Sequence, residues 1–409
     1  MPQAAGAPRP VPALAKATFG EVFAIPEFRA LWLAQILSVG GDQLARVALT
    51  LLVFERTHSA LLAAVTFAAS VVPTFAGSIV FSGLGDRLPR RKVMIACDLI
   101  RVALVGVMAL SDVPTAVLVV LLFLVTMIGA PFLSARAALY PDILTGDRYV
   151  VGTAVTLTTL QFAQVLGFAF GGAVVGVFGV RTSLLLDAAT FALSALITRV
   201  WVRSRPAAKA SAGRAFRVRD LAAGVQLVFT SPALRTPMLL GWLAAFYNVP
   251  EGVSAPLAAA VGGGAVAVGL ILASQALGAS VGAVAFSRFV APAVRIRWMN
   301  TLAVAACGVL VLFMFHPPLL AMLAILFVSG IFDCYQLAAN ASFVNAAPAA
   351  QRSSAFGVAL GGMSLGQGAA MVAAGAIAGH HAASVVVAAS GAIGVLCAVL
   401  IAIGHGRKR

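Results

Sequence analysis

The chain has 409 residues, 61% of them hydrophobic and only 10% charged, and its mean hydropathy is +1.02. Soluble domains keep roughly a quarter of their residues charged, so 28 basic and 13 acidic side chains cannot clothe a water-facing surface of this size, and lipid is the natural solvent. A net charge of +15 would suit a nucleic acid, but the positions of the cations exclude that partner.

Residues 1–27 hold Arg9 and Lys16 among prolines, too broken for the apolar core of a signal peptide, and read as a cytoplasmic N-terminal segment. A spanning helix needs about 20 mostly apolar residues. Twelve segments qualify: 28–54, 58–82, 93–111, 114–137, 150–177, 181–201, 233–258, 263–287, 298–315, 318–342, 353–379 and 382–404. Glycine, proline and histidine clusters at 262–264, 316–318 and 379–381 divide the longest runs. With both chain ends on one side, 24 of the 28 cations fall on that side and only Arg56 and Arg181 on the other, while Arg46 and Arg101 lie within helices. This asymmetry predicts cytoplasmic termini, with anionic lipid headgroups as the partners of the charge.

The polar stretch 202–232 divides a first six-span half, 28–201, from a second, 233–404, followed by a tail at 405–409. Its RSRPAAKASAGRAFRVRD is too basic and small-residue-rich for a folded domain, and reads as a cytoplasmic linker with a short interfacial helix over 218–229. FSGLGDRLPRRKVM (81–94) aligns without gaps with FSRFVAPAVRIRWM (286–299), each following the second span of its half. The expected fold is therefore an all-α membrane protein of two pseudo-symmetric six-helix bundles, a transporter pattern.

Ionisable groups within a bilayer are expensive and informative. In span 1, Asp42 and Arg46 stand four apart on one face, suited either to pair with each other or to present Asp42 to a central cavity. Asp98 and Arg101 in span 3 read as a structural pair, and Arg136 at the end of span 4 as a cation reaching for the surface. Asp187 in span 6 is ambiguous. Span 7 carries NVPEG, where Pro250 and Gly252 interrupt the helix around Glu251, the best single proton-coupling candidate. Trp242, Phe246 and Tyr247 precede it and suit ligand contact or plain packing. In span 10, Asp333, Gln336 and Asn340 share a face, as a polar stripe or as an interhelical hydrogen-bond network. Spans 1, 4, 7 and 10 open the three-helix repeats and are the natural cavity liners.

No phosphate loop, HExxH or GxSxG is present, so no catalytic residue, cofactor or enzymatic activity is expected. Cys97, Cys307, Cys334 and Cys397 lack metal or disulfide spacing, and the histidines fall in turns or the tail, so no metal site is expected.

Four regions carry a resemblance: FRALWLAQILSVGGDQLARVAL (28–49), GDRLPRRK (85–92), RAALYPDI (136–143) with LTTLQFAQVLGFAFGG (157–172), and SLLLDAATFALSA (183–195), where Asp187 occupies the usual place of an Asn. The chain resembles the major facilitator superfamily, and within it the bacterial efflux branch of enterobactin-exporter-like and macrolide-efflux-like proteins. Ser82 and Pro89 replace two glycines usual in the loop motif, and Phe168 follows Gly167 where the antiporter motif has a proline.

The resemblance implies a multi-pass carrier of the bacterial cytoplasmic membrane. It would export a small amphipathic molecule such as a drug, siderophore or secondary metabolite in exchange for protons, by alternating access and as a monomer. Import or facilitated passage of a metabolite, or a non-transporting sensor on the same scaffold, are the alternatives. The resemblance also implies a cytoplasmic gate of Asp86, Arg87, Arg90 and Arg91, with Asp86 latching the start of span 11 near Ser353 and Ser354, and close helix packing at Gly167, Gly171 and Gly172.

Overall fold

The computed structural model describes residues 17–81, 88–205, 218–348 and 351–406, which form helices joined by short turns. Among the described residues nine helices are long and apolar enough to cross a membrane. One of them, Asp147–Trp201, has 55 residues, and would run roughly 80 Å at about 1.5 Å per residue, against a hydrocarbon layer of about 30 Å. It doubles back at Gly179, whose φ of 78° suits glycine, and so supplies spans 5 and 6. Arg90–Met108, diluted by charge, is span 3, and a run of short helices from Pro232 to Ala260 is span 7. Counting these three, the described residues hold twelve candidate crossings, six before the polar stretch at 202–232 and six after it.

Local chemistry sets the ends. Span 1, Pro26–Thr57, places Pro26 in its first turn, where a missing N–H is harmless, and stops at His58 in the left-handed region, whose N–H donates to the Phe54 carbonyl at 2.8 Å. Ser59 then caps span 2, its Oγ accepting the Leu62 N–H at 3.2 Å.

Three spans are broken in mid-membrane. Span 2 has a turn at 69–71 just before Pro73. Span 7 falls into Pro232–Trp242, Ala244–Tyr247, Val249–Gly252 and Ser254–Ala260. Span 10 is interrupted between Leu319–Phe332 and Tyr335–Ala346. Backbone groups freed at such breaks must find partners inside the protein, and those partners build the candidate site.

The linker contains a helix, Val218–Thr230, docked on the second half. Val228 is fully buried with Met238, Phe343 and Val358, and a Cβ on Gly224 would stand 2.6 Å from the Ser354 carbonyl oxygen.

The halves close on each other at the end of the bundle remote from the chain termini. There a Cβ on Gly172 of span 5 would lie 2.6 Å from the Ala265 carbonyl oxygen and 2.9 Å from the Gly269 Cα of span 8. Likewise a Cβ on Gly375 of span 11 would lie 2.8 Å from the Ala60 carbonyl oxygen of span 2. Only glycine lets these backbones approach so closely, the packing device expected where lipid removes the hydrophobic drive for helix association. One apolar core crosses this seam, bringing Val47, Phe67 and Phe168 of the first half together with Val253, Val268 and Leu272 of the second.

Candidate functional site

The polar groups of the first half gather around a cavity of about 370 Å³ between spans 1 to 6. Asp42 and Arg46 line it from span 1, Arg101 from span 3 and Asp187 from span 6. Asp42 and Arg46 do not form the close ion pair that their spacing allowed. The Arg46 guanidinium instead donates to the Ser70 carbonyl at 2.9 Å, at the break that Pro73 imposes on span 2. Glu251, assigned no local cation from sequence, forms no ion pair among the described residues.

Asp98 and Arg101 do pair, both buried, as their spacing predicted. The Ser194 hydroxyl donates to Asp98 at 2.7 Å, Arg101 donates to Ser38 Oγ at 3.2 Å, and the guanidinium lies over the rings of Phe191 and Phe132 at 4.2 and 5.0 Å. This knot ties spans 1, 3, 4 and 6 together.

Arg136 is 8% exposed and does not reach the surface. It packs 5.6 Å from the Tyr140 ring of its own helix, with Nε and Nη1 unpartnered, because span 4 turns it inward.

The second half builds its polar centre on the broken helices. Tyr247 donates its hydroxyl to Asp333 Oδ1 at 2.5 Å and accepts from Gln336 Nε2 at 2.8 Å. Gln336 also donates to the Gly241 carbonyl at 3.1 Å, and Tyr335 to the Leu240 carbonyl at 3.0 Å, so span 10 is tied to the carbonyls beside the first break in span 7. Pro250 has no N–H for the Phe246 carbonyl; Ser390 Oγ lies 3.2 Å from that carbonyl and 2.8 Å from the Val387 carbonyl, and its single proton can serve one of the two. Gln275 of span 8 donates to the Tyr247 carbonyl at 3.0 Å and to Asn248 Oδ1 at 2.9 Å.

Glu251 and Asp333 face a second cavity, of about 170 Å³, across the seam from Gln161 and Gln164 of span 5. Those two glutamines also line the first cavity, so the polar centres of the halves adjoin through them. Asn340 lies elsewhere, in a third cavity of about 310 Å³ with Trp242 and Met363, which Gln336 also lines. The stripe expected on span 10 is thus divided, because the break at Asp333 ends the regular helical face. Gln161, Gln164, Asn248 and Gln275 were not singled out from the sequence, although uncharged polar residues within apolar runs were a visible signal.

Of the loop motif, Asp86 and Arg87 lie outside the described residues. Arg90 pairs with Asp142 at 2.5 Å and donates to the Ala138 carbonyl at 2.8 Å, while Arg91 donates to the Arg199 carbonyl. Both brace span 3 against its own half. Gly167 and Gly171 pack on span 1 beside Gln43 and Leu44, and Gly172 on span 8. No group of three or more His, Cys, Asp or Glu side chains able to hold a metal occurs among the described residues.

Comparison with known proteins gives this geometry a context. The family model described as Major Facilitator Superfamily matches residues 31–254. The enterobactin exporter EntS of Citrobacter koseri is 28% identical over 269 residues, covering 63% of this chain and 62% of the relative. That of Shigella boydii serotype 4 is 27% identical over 263 residues with the same coverage. The chain thus matches about 62% of the length of these relatives. A POT family transporter solved with 5-aminolevulinic acid superposes with a TM-score of 0.74 at 12% identity, over 96% of this chain and 98% of that one. A bacterial homologue of the iron transporter ferroportin, in an inward-facing state, superposes with a TM-score of 0.67 at 14% identity, over 94% and 99%. Nine helices long and apolar enough to cross a membrane, polar centres meeting at a glycine-packed seam and the family match lead to one conclusion: this chain is a multi-pass membrane protein that belongs to the Major Facilitator Superfamily.

Proposed function

We propose that this transporter exports a small amphipathic molecule across the bacterial cytoplasmic membrane in exchange for protons, working as a monomer with both termini in the cytoplasm. The observation that carries the reading is the position of Glu251. It lies on a four-residue helical fragment at the seam, facing a cavity with Asp333. A carboxyl there is negative when deprotonated and neutral when protonated. A change of charge at the seam biases the rocking of the halves, which is what coupling requires. With cytoplasmic termini, closure of the halves at the far end shuts the cavities from the outside. Similarity to enterobactin exporters supports the export direction and a drug, siderophore or secondary metabolite as cargo.

Everted membrane vesicles test this. A pH gradient, acid inside, is expected to drive accumulation of a compound from a panel of fluorescent drugs and catecholate siderophores, and Glu251→Gln is expected to abolish it. Flux that needs no gradient and ignores that substitution would identify a facilitator instead.

A further inference from the structure

A groove on the outside of the first bundle carries a cation at one end and is apolar along the rest. It lies between spans 1 and 6, at the end of the bundle that holds the chain termini, and its volume is about 460 Å³. Pro26, Arg29, Ala30 and Leu33 line it from span 1, spaced three and four apart so that one helical face is turned to it. Leu193, Leu196, Ile197 and Trp201 line it from span 6 with the same spacing. Ala30 and Ile197 are buried and make the floor, while the exposed leucines and Trp201 make the walls. Apolar side chains left exposed on a spanning segment face lipid.

The mouth is cationic. The Arg29 side chain is exposed and makes no ion pair or hydrogen bond among the described residues. Glu27, two residues before it, is already matched: it accepts from the Arg205 guanidinium at 2.7 and 3.2 Å and from the Arg203 backbone N–H at 2.6 Å. That clasp brings the chain beyond Trp201 back across the start of span 1. It leaves the exposed Arg203 side chain, like that of Arg29, without an ion pair among the described residues. Three cations thus meet one acid at the mouth, and no acid lines the groove. Trp201, in the last turn of span 6, suits the boundary between headgroups and tails.

A long cationic side chain near a helix end turns toward headgroups wherever it stands. Here the cation shares a helical face with the slot, so a single ligand has to satisfy both. The helices also set the length of that ligand. The stretch from Leu193 to Trp201 rises roughly 12 Å at about 1.5 Å per residue, within the roughly 15 Å of one leaflet. One acyl chain fills such a slot from headgroup level without crossing the midplane.

We propose that this groove binds an anionic phospholipid of the leaflet on the side of the chain termini, its phosphate held by Arg29 and Arg203 and one acyl chain laid along Ala30, Leu33 and Leu196. The inference goes beyond the export reading and does not depend on it, since neither cargo nor protons enter the groove.

The test is native mass spectrometry of the purified full-length protein, delipidated and then titrated with phosphatidylglycerol or with phosphatidylcholine of identical acyl chains. The first phosphatidylglycerol is expected to bind on the order of tenfold or more tightly than the first phosphatidylcholine, because each arginine at a membrane surface favours an anionic headgroup. Arg29→Gln combined with Arg203→Gln is expected to erase that preference and Arg29→Lys to keep part of it. Arg288→Gln, which removes an exposed cation at the same end of the second half, is expected to leave it intact. Glycerol phosphate, an anionic head without an acyl chain, is expected not to compete even in large excess. Equal binding of the two lipids by the wild-type protein overturns the proposal without any variant having to fold. Displacement by glycerol phosphate also overturns it, since the slot would then play no part and the site would be one for free phosphate. A preference that survives in a folded double variant, or that Arg288→Gln removes equally, belongs to the overall surface charge and likewise overturns the site.

Discussion

Tyr247 of span 7 gives its hydroxyl proton to Asp333 of span 10 at 2.5 Å, and both residues stand at breaks in their helices. The bond joins two discontinuous spans at mid-membrane, and Gln336 closes it by donating to the same tyrosine. A hydrogen bond to a carboxyl in such a place fixes the two breaks relative to each other, and so sets the face that Asp333 presents to the seam.

Tyr247→Phe is expected to destabilise the protein by about 1–3 kcal/mol, because the buried Asp333 carboxyl loses its hydrogen-bond partner. Asp333→Asn is expected to cost a similar amount, and the double variant less than the two together, since each change removes the same interaction. Thermal unfolding of the three purified variants reads this directly; strict additivity would show that the pair does not act as a unit.

The Asp98–Arg101 pair is expected to behave as structure rather than as a moving gate. Removing one member, by Asp98→Asn or Arg101→Met, leaves a buried group uncompensated and is expected to cost roughly 3–5 kcal/mol, seen as lost yield and a lower melting temperature. Changing both together is expected to recover part of that loss. Ser194→Ala, which takes one donor from Asp98, is expected to cost about 1 kcal/mol. A stable Asp98→Asn protein that fails only in transport would reverse this assignment.

Gly172 and Gly269 set how tightly the halves close at the far end. A Cβ on Gly269 would lie 2.6 Å from the Phe168 carbonyl oxygen and 2.8 Å from the Gly172 Cα, so backbone has to move to admit it. Gly269→Val is expected to disfavour this closed arrangement without unfolding either bundle. The expected readout is faster thiol labelling of Val266→Cys in the Gly269→Val background, with slower turnover; unchanged labelling would show that this crossing is not part of the gate.

The architecture was legible because its signals are additive. Apolar length, turn residues and the distribution of cations each sum over many positions, and even the interruption of span 7 announced itself through Pro250 and Gly252. The site was only partly legible, because intramembrane charges choose partners by tertiary placement rather than by spacing. Asp98 and Arg101 had both the spacing and the orientation to pair, and did. Asp42 and Arg46 had the spacing, but the Pro73 break offered Arg46 a backbone carbonyl on another helix. Asp187 drew no firm reading because its setting, a buried carboxyl packed against Gly41, is a property of how spans 1 and 6 pack. Gln161 and Gln164 gain meaning only once span 5 is seen to bridge the two cavities.

The central claim is that Glu251 couples the movement of the halves to a proton. The most direct measurement compares net uptake driven by a pH gradient with substrate exchange in the absence of one, in proteoliposomes loaded with the compound identified in everted vesicles. Exchange needs the halves to rock with cargo aboard but no net proton movement, so Glu251→Gln is expected to keep exchange near the wild-type rate while losing gradient-driven accumulation. Equal loss of both would make Glu251 a binding or structural residue, and retention of both would contradict the account.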